Sequence, residues 1–315
     1  MRQYKKNEIP ILLITFNRPD CLQQAIENLA KLKPTKVFIF SDGPRKNRFG
    51  DYGRVKKCRD IIDNQLKWKC VVKKKYRRKN LGCGLAMCSA ITWFFKHNKY
   101  GIILEDDCIV SQSFFSFCAV LLKRYYRDNT VAGISADFKF IQNKLPANHY
   151  GFISFPQIWG WATWRRVWKK YKYTLSEKDL IGASWLDRFA DYEKKYWIKN
   201  MFKIINKTID TWDYQFSYLV LKNDLKFIFP MRNMVTNIGF GSAATHTKNI
   251  RDSTSNLKRF EVKGPFKQKK NYKKYDNYLK SNYFIYRSLR SKIFDEINKR
   301  LKSLLKKNGN NNINI

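Results

Sequence analysis

Short apolar runs alternate, along the first half of the chain, with stretches whose apolar positions recur at helical spacing. Pro10-Ile-Leu-Leu-Ile-Thr-Phe16 and Lys36-Val-Phe-Ile-Phe-Ser41 read as strands buried on both faces. Between them Asn17-Arg18-Pro19-Asp20 turns the chain into a helix over residues 21–32, with Pro and Asp where a helix starts. Asp42-Gly43-Pro44 is a turn, residues 55–66 a helix, and residues 68–72 a third strand followed by the basic run Lys73–Lys79. Asn80-Leu-Gly82-Cys-Gly84 leads into a helix reaching about His97, and Gly101-Ile-Ile-Leu104 is a fourth strand. Ser111 or Ser113 caps a helix through Tyr126, and Val131–Ser135 is again strand-like. Strands alternating with helices predict an α/β fold with right-handed crossovers and a mainly parallel sheet flanked by helices.

The fourth strand runs into Glu105, Asp106 and Asp107. Three adjacent carboxylates repel one another unless a cation lies among them, and hard oxygen donors suit Mg²⁺ or Mn²⁺. In parallel sheets ligands bind beyond the carboxyl ends of the strands. Asn17, Asp42, Arg78, Asn80 and the acidic triplet all fall at or just after such ends. A helix N-terminus after Gly82, with Arg77 and Arg78 before it, would attract phosphate. Carboxylates beside a phosphate imply a bridging divalent ion, and an Asp closing the second strand can accept from a base or ribose. The chain lacks the dinucleotide fingerprint GxGxxG and the P-loop pattern, which excludes those two classes.

In the second half, Trp159-Gly-Trp-Ala-Thr-Trp164 offers either core packing or a platform for sugar rings. Residues 180–207 read as helical, and Asp210-Thr-Trp-Asp213 opens another helix, where the acids either cap or catalyse. Residues 225–229 are strand-like. Asn237-Ile-Gly-Phe-Gly241 leads to His246, one of three histidines. Towards the end Ile285, Leu289, Ile293, Ile297, Leu301 and Leu304 line one side of a basic helix, which either packs on the domain or lies on an anionic membrane.

Composition adds constraints. There are 63 Lys and Arg against 25 Asp and Glu, a formal charge of +38 over 315 residues. The lysines are spread along the chain, so a compositional bias, an anionic membrane surface and nucleic acid all remain open as explanations. Seven cysteines without a CxxC pair read as free thiols in a reducing compartment. No apolar run is long enough to span a bilayer, and the charged residues 1–8 lead directly into a strand. These features predict a cytoplasmic protein, peripheral at the inner face of the plasma membrane if the basic helix binds there.

Taken together, Thr15-Phe-Asn-Arg18, Ser41-Asp-Gly43, Asn80-Leu-Gly82, Leu104-Glu-Asp-Asp107, the Trp159–Trp164 stretch, Thr211-Trp-Asp213 and Asn237–Gly241 with Thr245-His246 carry a resemblance. Over residues 9–247 the chain resembles bacterial nucleotide-sugar glycosyltransferases of the GT-A fold, family 2 in manner, and the N-acetylglucosaminyltransferase I class. The resemblance implies a UDP- or GDP-linked sugar donor, Mn²⁺ or Mg²⁺, and a glycan or lipid-linked acceptor in cell-surface polysaccharide synthesis. It implies metal binding by Asp107 and His246, with Asp106 and Glu105 facing ribose or metal-bound water. Thr15, Asn17, Arg18 and Asp42 would line the nucleoside pocket, Arg78 and Asn80 the diphosphate, and Trp159, Gly160 and Trp161 the donor sugar. Asp213 matches the general base of inverting relatives. Relatives often carry acids after the second glycine, where this chain has Ser242 and Ala243. The implied organisation is a transferase domain over 1–265 (halves 1–135 and 136–265), a linker over 266–280, the basic helix over 281–307 and a disordered tail over 308–315. A nucleic-acid-binding protein and a non-catalytic carbohydrate-binding protein are the competing expectations.

Overall fold

The computed structural model describes residues 5–138, 146–180, 184–240 and 257–269. Four strands and three helices form the first half: β1 (Ile11–Thr15), α1 (Pro19–Leu32), β2 (Lys36–Ser41), α2 (Asp51–Gln65), β3 (Val71–Tyr76), α3 (Cys83–His97) and β4 (Tyr100–Glu105). Then come β5 (Cys108–Val110), α4 (Gln112–Arg124), β6 (Val131–Ser135), β7 (His149–Ile153), β8 (Trp161–Trp164) and α5 (Arg165–Trp168). The last elements are α6 (Asp191–Ile205), α7 (Asp213–Lys222), β9 (Lys226–Pro230), β10 (Val235–Asn237) and β11 (Lys267–Gln268).

The strands form a nine-stranded sheet in the order β11-β7-β9-β6-β8-β4-β1-β2-β3, and β5 pairs with β10 in a separate ribbon. The expected α/β class and mainly parallel sheet are present. β3, β2, β1 and β4 pair in parallel, as do β6 and β9. Every residue of β1 is buried, as a central parallel strand covered on both faces requires. α1 begins with Pro19 at its first position, where the ring costs no hydrogen bond, and buries Leu22, Ala25, Ile26, Leu29 and Leu32 along one stripe.

The order around β1 positions the site. The chain moves from β1 outward to β2 and β3, then returns to the other side of β1 as β4. Right-handed crossovers therefore put α1 and α2 on one face and α3 on the other. The crevice beyond the carboxyl ends of β1 and β4 is the topological switch point, where ligands of open α/β sheets bind.

Four boundaries differ from the sequence reading. The third strand is Val71–Tyr76, not 68–72, so it absorbs Lys73, Lys74 and Lys75. It is the sheet's edge, where lysines are tolerated because one flank meets water and their charge discourages further pairing. The helix expected over 180–207 is shorter: α6 spans Asp191–Ile205, preceded by a 3₁₀ turn at Ser184–Leu186. Of the loop expected under the donor sugar at Trp159–Trp161, Trp161 instead opens β8, a fully buried strand antiparallel to both β4 and β6 that bears out the core-packing alternative for Trp161 and Trp164. Finally, Phe266 is buried and Lys267–Gln268 pair with β7, so the sheet continues past residue 265 into the expected linker. The basic helix over 281–307 and the tail over 308–315 lie outside the described residues. No helix among the described residues is long and apolar enough to cross a membrane.

Candidate active site

At the switch point the acids at the end of β4 meet the loop that leaves β1. Asp106 is 1% exposed, and both of its oxygens are used. Oδ2 accepts from the Thr15 hydroxyl at 2.8 Å and the Phe16 N–H at 3.3 Å, while Oδ1 accepts from Arg18 Nη2 at 2.5 Å. Arg18 Nη1 donates to Asp107 Oδ2 at 2.7 Å. One guanidinium thus bridges two adjacent carboxylates from across the crevice. Burial opposes the charge on Arg18, but Asp106 and Asp107 outweigh it and hold its pKa above the usual value. The cation demanded by the acidic triplet is therefore supplied, in part, by the protein. A sequence argument that counted only the acids could not locate it, because 88 residues separate Arg18 from Asp106.

Glu105 is the member of the triplet that Arg18 does not bond. Burial, then the charge on Asp107, push its carboxyl up to about 8, with Arg18 acting against them and Asp213 adding to them. Asp213 comes from the first turn of α7 and is held by the Thr211 hydroxyl and the Tyr214 N–H (2.9 Å), both on its Oδ1. No hydrogen bond to its Oδ2 is found among the described residues. Cys83, at the start of α3, also feels Glu105, Asp210, Asp213 and Arg18, its thiol pushed up to about 12 mainly by burial. The ends of β4, α3 and α7 thus converge on one place.

The N-terminus of α3 was expected to receive phosphate. Instead, the Asp210 carboxylate accepts from the Cys83 N–H at 2.6 Å and the Gly84 N–H at 2.8 Å. An anion sits where the helix dipole favours one, but the protein provides it. Asp210 therefore caps α3, not the helix that follows it in sequence. Gly82 has φ +81°, and a Cβ there would strike the Asp210 carboxylate, so the turn needs glycine on both counts.

The residues expected around the nucleoside divide into two groups. Asp42 is 4% exposed and accepts from Asn80 Nδ2 (2.9 Å), the Gly43 N–H (2.9 Å) and the Leu81 N–H (3.0 Å). Asn80 in turn bonds Gly43 O and the Gly82 N–H. These two residues lock the ends of β2 and β3 to each other, so neither offers the open group expected for a base or phosphate. Asn17 donates to Asp51 Oδ1 at 2.8 Å. Asp51 is fully buried between Arg45 and Arg54, and the Arg45 hydrogen bond first of all holds its carboxyl well below the usual range. Arg78 is exposed on the loop after β3.

The sequence reading missed Asp51, although an acid directly after Gly50 at a helix start was a legible cue. Trp161 is a core residue: 1% exposed, it stacks on Trp212 with ring centroids 5.7 Å apart and packs on Phe216 at 4.9 Å. Its indole is not available to a sugar. Trp159 is half-buried and meets Phe240 edge to face at 5.8 Å. Gly160 has φ +64°, and a Cβ there would press on Val110.

A fourth segment reaches the acids. The β5–β10 ribbon carries Asn237, whose Oδ1 accepts from the Gly239 N–H at 2.8 Å, and the Ile238 N–H donates to Asp107 O at 2.9 Å. Gly239 lies so close that a Cβ would collide with Asp107 Oδ2 and Arg18 Nη1. His246, Ser242 and Ala243 lie outside the described residues. Among those described, no group of three His, Cys, Asp or Glu side chains is arranged to hold a metal ion. Both oxygens of Asp106 and Oδ2 of Asp107 already accept from Thr15, Phe16 and Arg18, which leaves Asp107 Oδ1, touched only by the Cys108 thiol at 3.4 Å, as the open acceptor of that pair. The expected Mn²⁺ or Mg²⁺ site is not preformed in the described residues.

A scan of protein-family models matches none, and no curated protein matches the sequence. Solved structures similar to the chain include a UDP-glucose pyrophosphorylase complexed with UDP-glucose (10% identity, 72% of this chain and 92% of that one, TM-score 0.37). HddC from Yersinia pseudotuberculosis is similar at 9% identity, over 58% of this chain and 87% of that one, with a TM-score of 0.33. A 4-diphosphocytidyl-2C-methyl-D-erythritol synthase from Anaerococcus prevotii is similar at 12% identity, over 64% and 84%, with a TM-score of 0.29.

Proposed function

We propose that the crevice between β1 and β4 binds a nucleotide-diphosphate sugar, UDP- or GDP-linked, and that the protein transfers the sugar to a hydroxyl of a glycan or lipid-linked acceptor. The observation that carries this reading is that the Arg18-bridged acids at the end of β4 lie at the switch point of a parallel sheet, with Asp213 of α7 near enough for its charge to act on Glu105. Structural acids are normally dispersed or paired; here Asp213 is oriented by Thr211 and keeps one oxygen for other work. That is the arrangement of a base and its orienting partner.

In this reading the acceptor oxygen attacks the anomeric carbon as the bond from that carbon to the diphosphate breaks. The electron pair leaves with the diphosphate, and the acceptor proton passes to Asp213 Oδ2. The sugar carbon inverts. Glu105 holds its proton near neutral pH and can donate a hydrogen bond to a ribose or phosphate oxygen. Arg78 supplies charge toward the diphosphate. Arg18 fixes Asp106 and Asp107 against the loop that covers them.

A non-catalytic sugar-binding protein was one of the two competing readings, and its basis was the run of tryptophans. Two of the three, Trp161 and Trp164, are core side chains, so that support is lost. The test is thermal unfolding with UDP, GDP or CMP, each with and without Mn²⁺. One nucleoside diphosphate should stabilise the protein, and that nucleotide names the donor class. No stabilisation by any of them overturns the reading. Stabilisation that requires Mn²⁺ would assign an ion to the acids at the end of β4.

A further inference from the structure

We infer that the protein has a second anion site, for a phosphate-bearing ligand, at the opposite end of β4 from the acids. A cavity of about 270 Å³ opens there between Lys99, Tyr126, Trp164, Arg165, Arg166 and Lys169. Lys99 directly precedes β4, and Trp164 pairs with Tyr100 at the start of that strand. Five residue steps along β4 put the cavity about 17 Å from Glu105, and it does not depend on the reading of the acidic crevice.

Four of its six lining residues are cations and none is an acid. Among the described residues no carboxylate pairs with any of the four. The acid whose charge acts on Arg166 is Asp128, whose Oδ1 accepts from the Thr130 N–H and hydroxyl. Four like charges around one hollow repel, and among the described residues the fold answers them with no direct ion pair, only the more distant charge of Asp128 on Arg166.

The two arginines are built in place. Arg166 donates from Nε to Tyr126 O (3.2 Å) and from Nη2 to Tyr125 O and Val131 O (3.1 Å each), and it lies 4.6 Å over the Trp164 ring. Trp164 is itself fixed by its indole N–H on Leu122 O. Arg165 donates from Nε to Asn98 O at 2.9 Å. Backbone carbonyls thus hold each guanidinium by one edge and leave Nη1 of Arg166 and both Nη groups of Arg165 for another acceptor. A fixed fork that still has donors to offer matches a phosphate oxygen pair, and Lys99 and Lys169 at the exposed rim add mobile charge. Tyr126, partly exposed at the cavity, is the aromatic surface open to an ester group attached to the phosphate. That ligand is a soluble phosphate ester or the head group of an anionic lipid.

The test uses the full chain and inorganic pyrophosphate, followed by calorimetry at moderate salt. Charge on a protein this basic attracts anions everywhere, so two charge-matched variants are compared. Lys99→Glu with Lys169→Glu should weaken binding roughly tenfold or more. Lys195→Glu with Lys199→Glu, exposed on α6, removes the same charge elsewhere and should leave affinity within about twofold. Equal loss in both pairs, no loss in the first, or no binding by the unaltered protein overturns the site. Arg165→Gln, which keeps the fold's lysines, should reproduce the first pair's loss. Co-sedimentation with phosphatidic acid vesicles, against phosphatidylcholine alone, names the source. Vesicle binding abolished by the first pair assigns a lipid head group, and pyrophosphate binding without vesicle binding assigns a soluble ester.

Discussion

The two ends of β4 solve opposite electrostatic problems in opposite ways. At its carboxyl end three acids are gathered, and the fold answers with Arg18 on Asp106 and Asp107. At its amino end cations are gathered around a cavity, and among the described residues no acid forms an ion pair with them. Burial sharpens the contrast. Asp106 is almost fully enclosed, so leaving it without a partner would be costly, whereas Lys99 and Lys169 are exposed and water solvates them. The lesson is that charge was neutralised where it had to be and left open where it could be, and the open charge is where ligands are expected.

The contrast can be broken at the acidic end first. Asp213→Asn keeps the shape and the bond from Thr211 but removes the base. Transfer should fall roughly 10²–10⁴-fold with nucleotide affinity little changed. A parallel fall in affinity and rate would instead make Asp213 a structural residue of α7. Arg18→Met is next: it strands a buried carboxylate, and unfolding by urea should show a loss of about 3–5 kcal/mol. Adding Asp106→Asn to that variant should recover part of the loss, since the amide needs no counter-charge.

Smaller effects sharpen the picture. The Glu105 carboxyl is raised from its ordinary 4.5 to about 8, so between those values the folded protein keeps a proton that the unfolded chain releases. Stability from this group is complete below about pH 4.5 and is lost as pH rises towards 8. Glu105→Gln should flatten that decline in a pH series of thermal melts and stabilise the protein at the alkaline end. Last, Asp210→Ala uncaps α3 and should cost about 0.5–2 kcal/mol; because the residue is exposed, a value near the lower bound is expected.

Much of the parallel half was legible because its strands are buried on both faces and their apolar runs have few other uses. Strands β1, β2 and β4 and the gathering of the acids could be read from Ile11–Thr15, Val37–Phe40 and Leu104–Asp107. The second half resisted for a physical reason. β8 carries tryptophans on both sides of an antiparallel strand, and nothing local in Trp-Ala-Thr-Trp distinguishes a core strand from an aromatic loop. Partners far apart in sequence were equally hidden. Asp210 serves a helix that starts 127 residues before it, so it reads locally as the cap of its own helix. The basic cavity had no motif at all, since Lys99, Tyr126 and Trp164–Lys169 come together only when β4 and β8 pair. Asp42 and Asn80 were each singled out, for the nucleoside and the diphosphate, but their hydrogen bonds turn inward to one another and to the backbone.

The most direct test of the account is hydrogen–deuterium exchange of the full chain with and without whichever nucleoside diphosphate stabilises it. The account predicts protection at residues 14–18, 104–107 and 211–214, on the acidic side of the sheet. Protection confined to residues 99 and 164–169, or no protection anywhere, would contradict it.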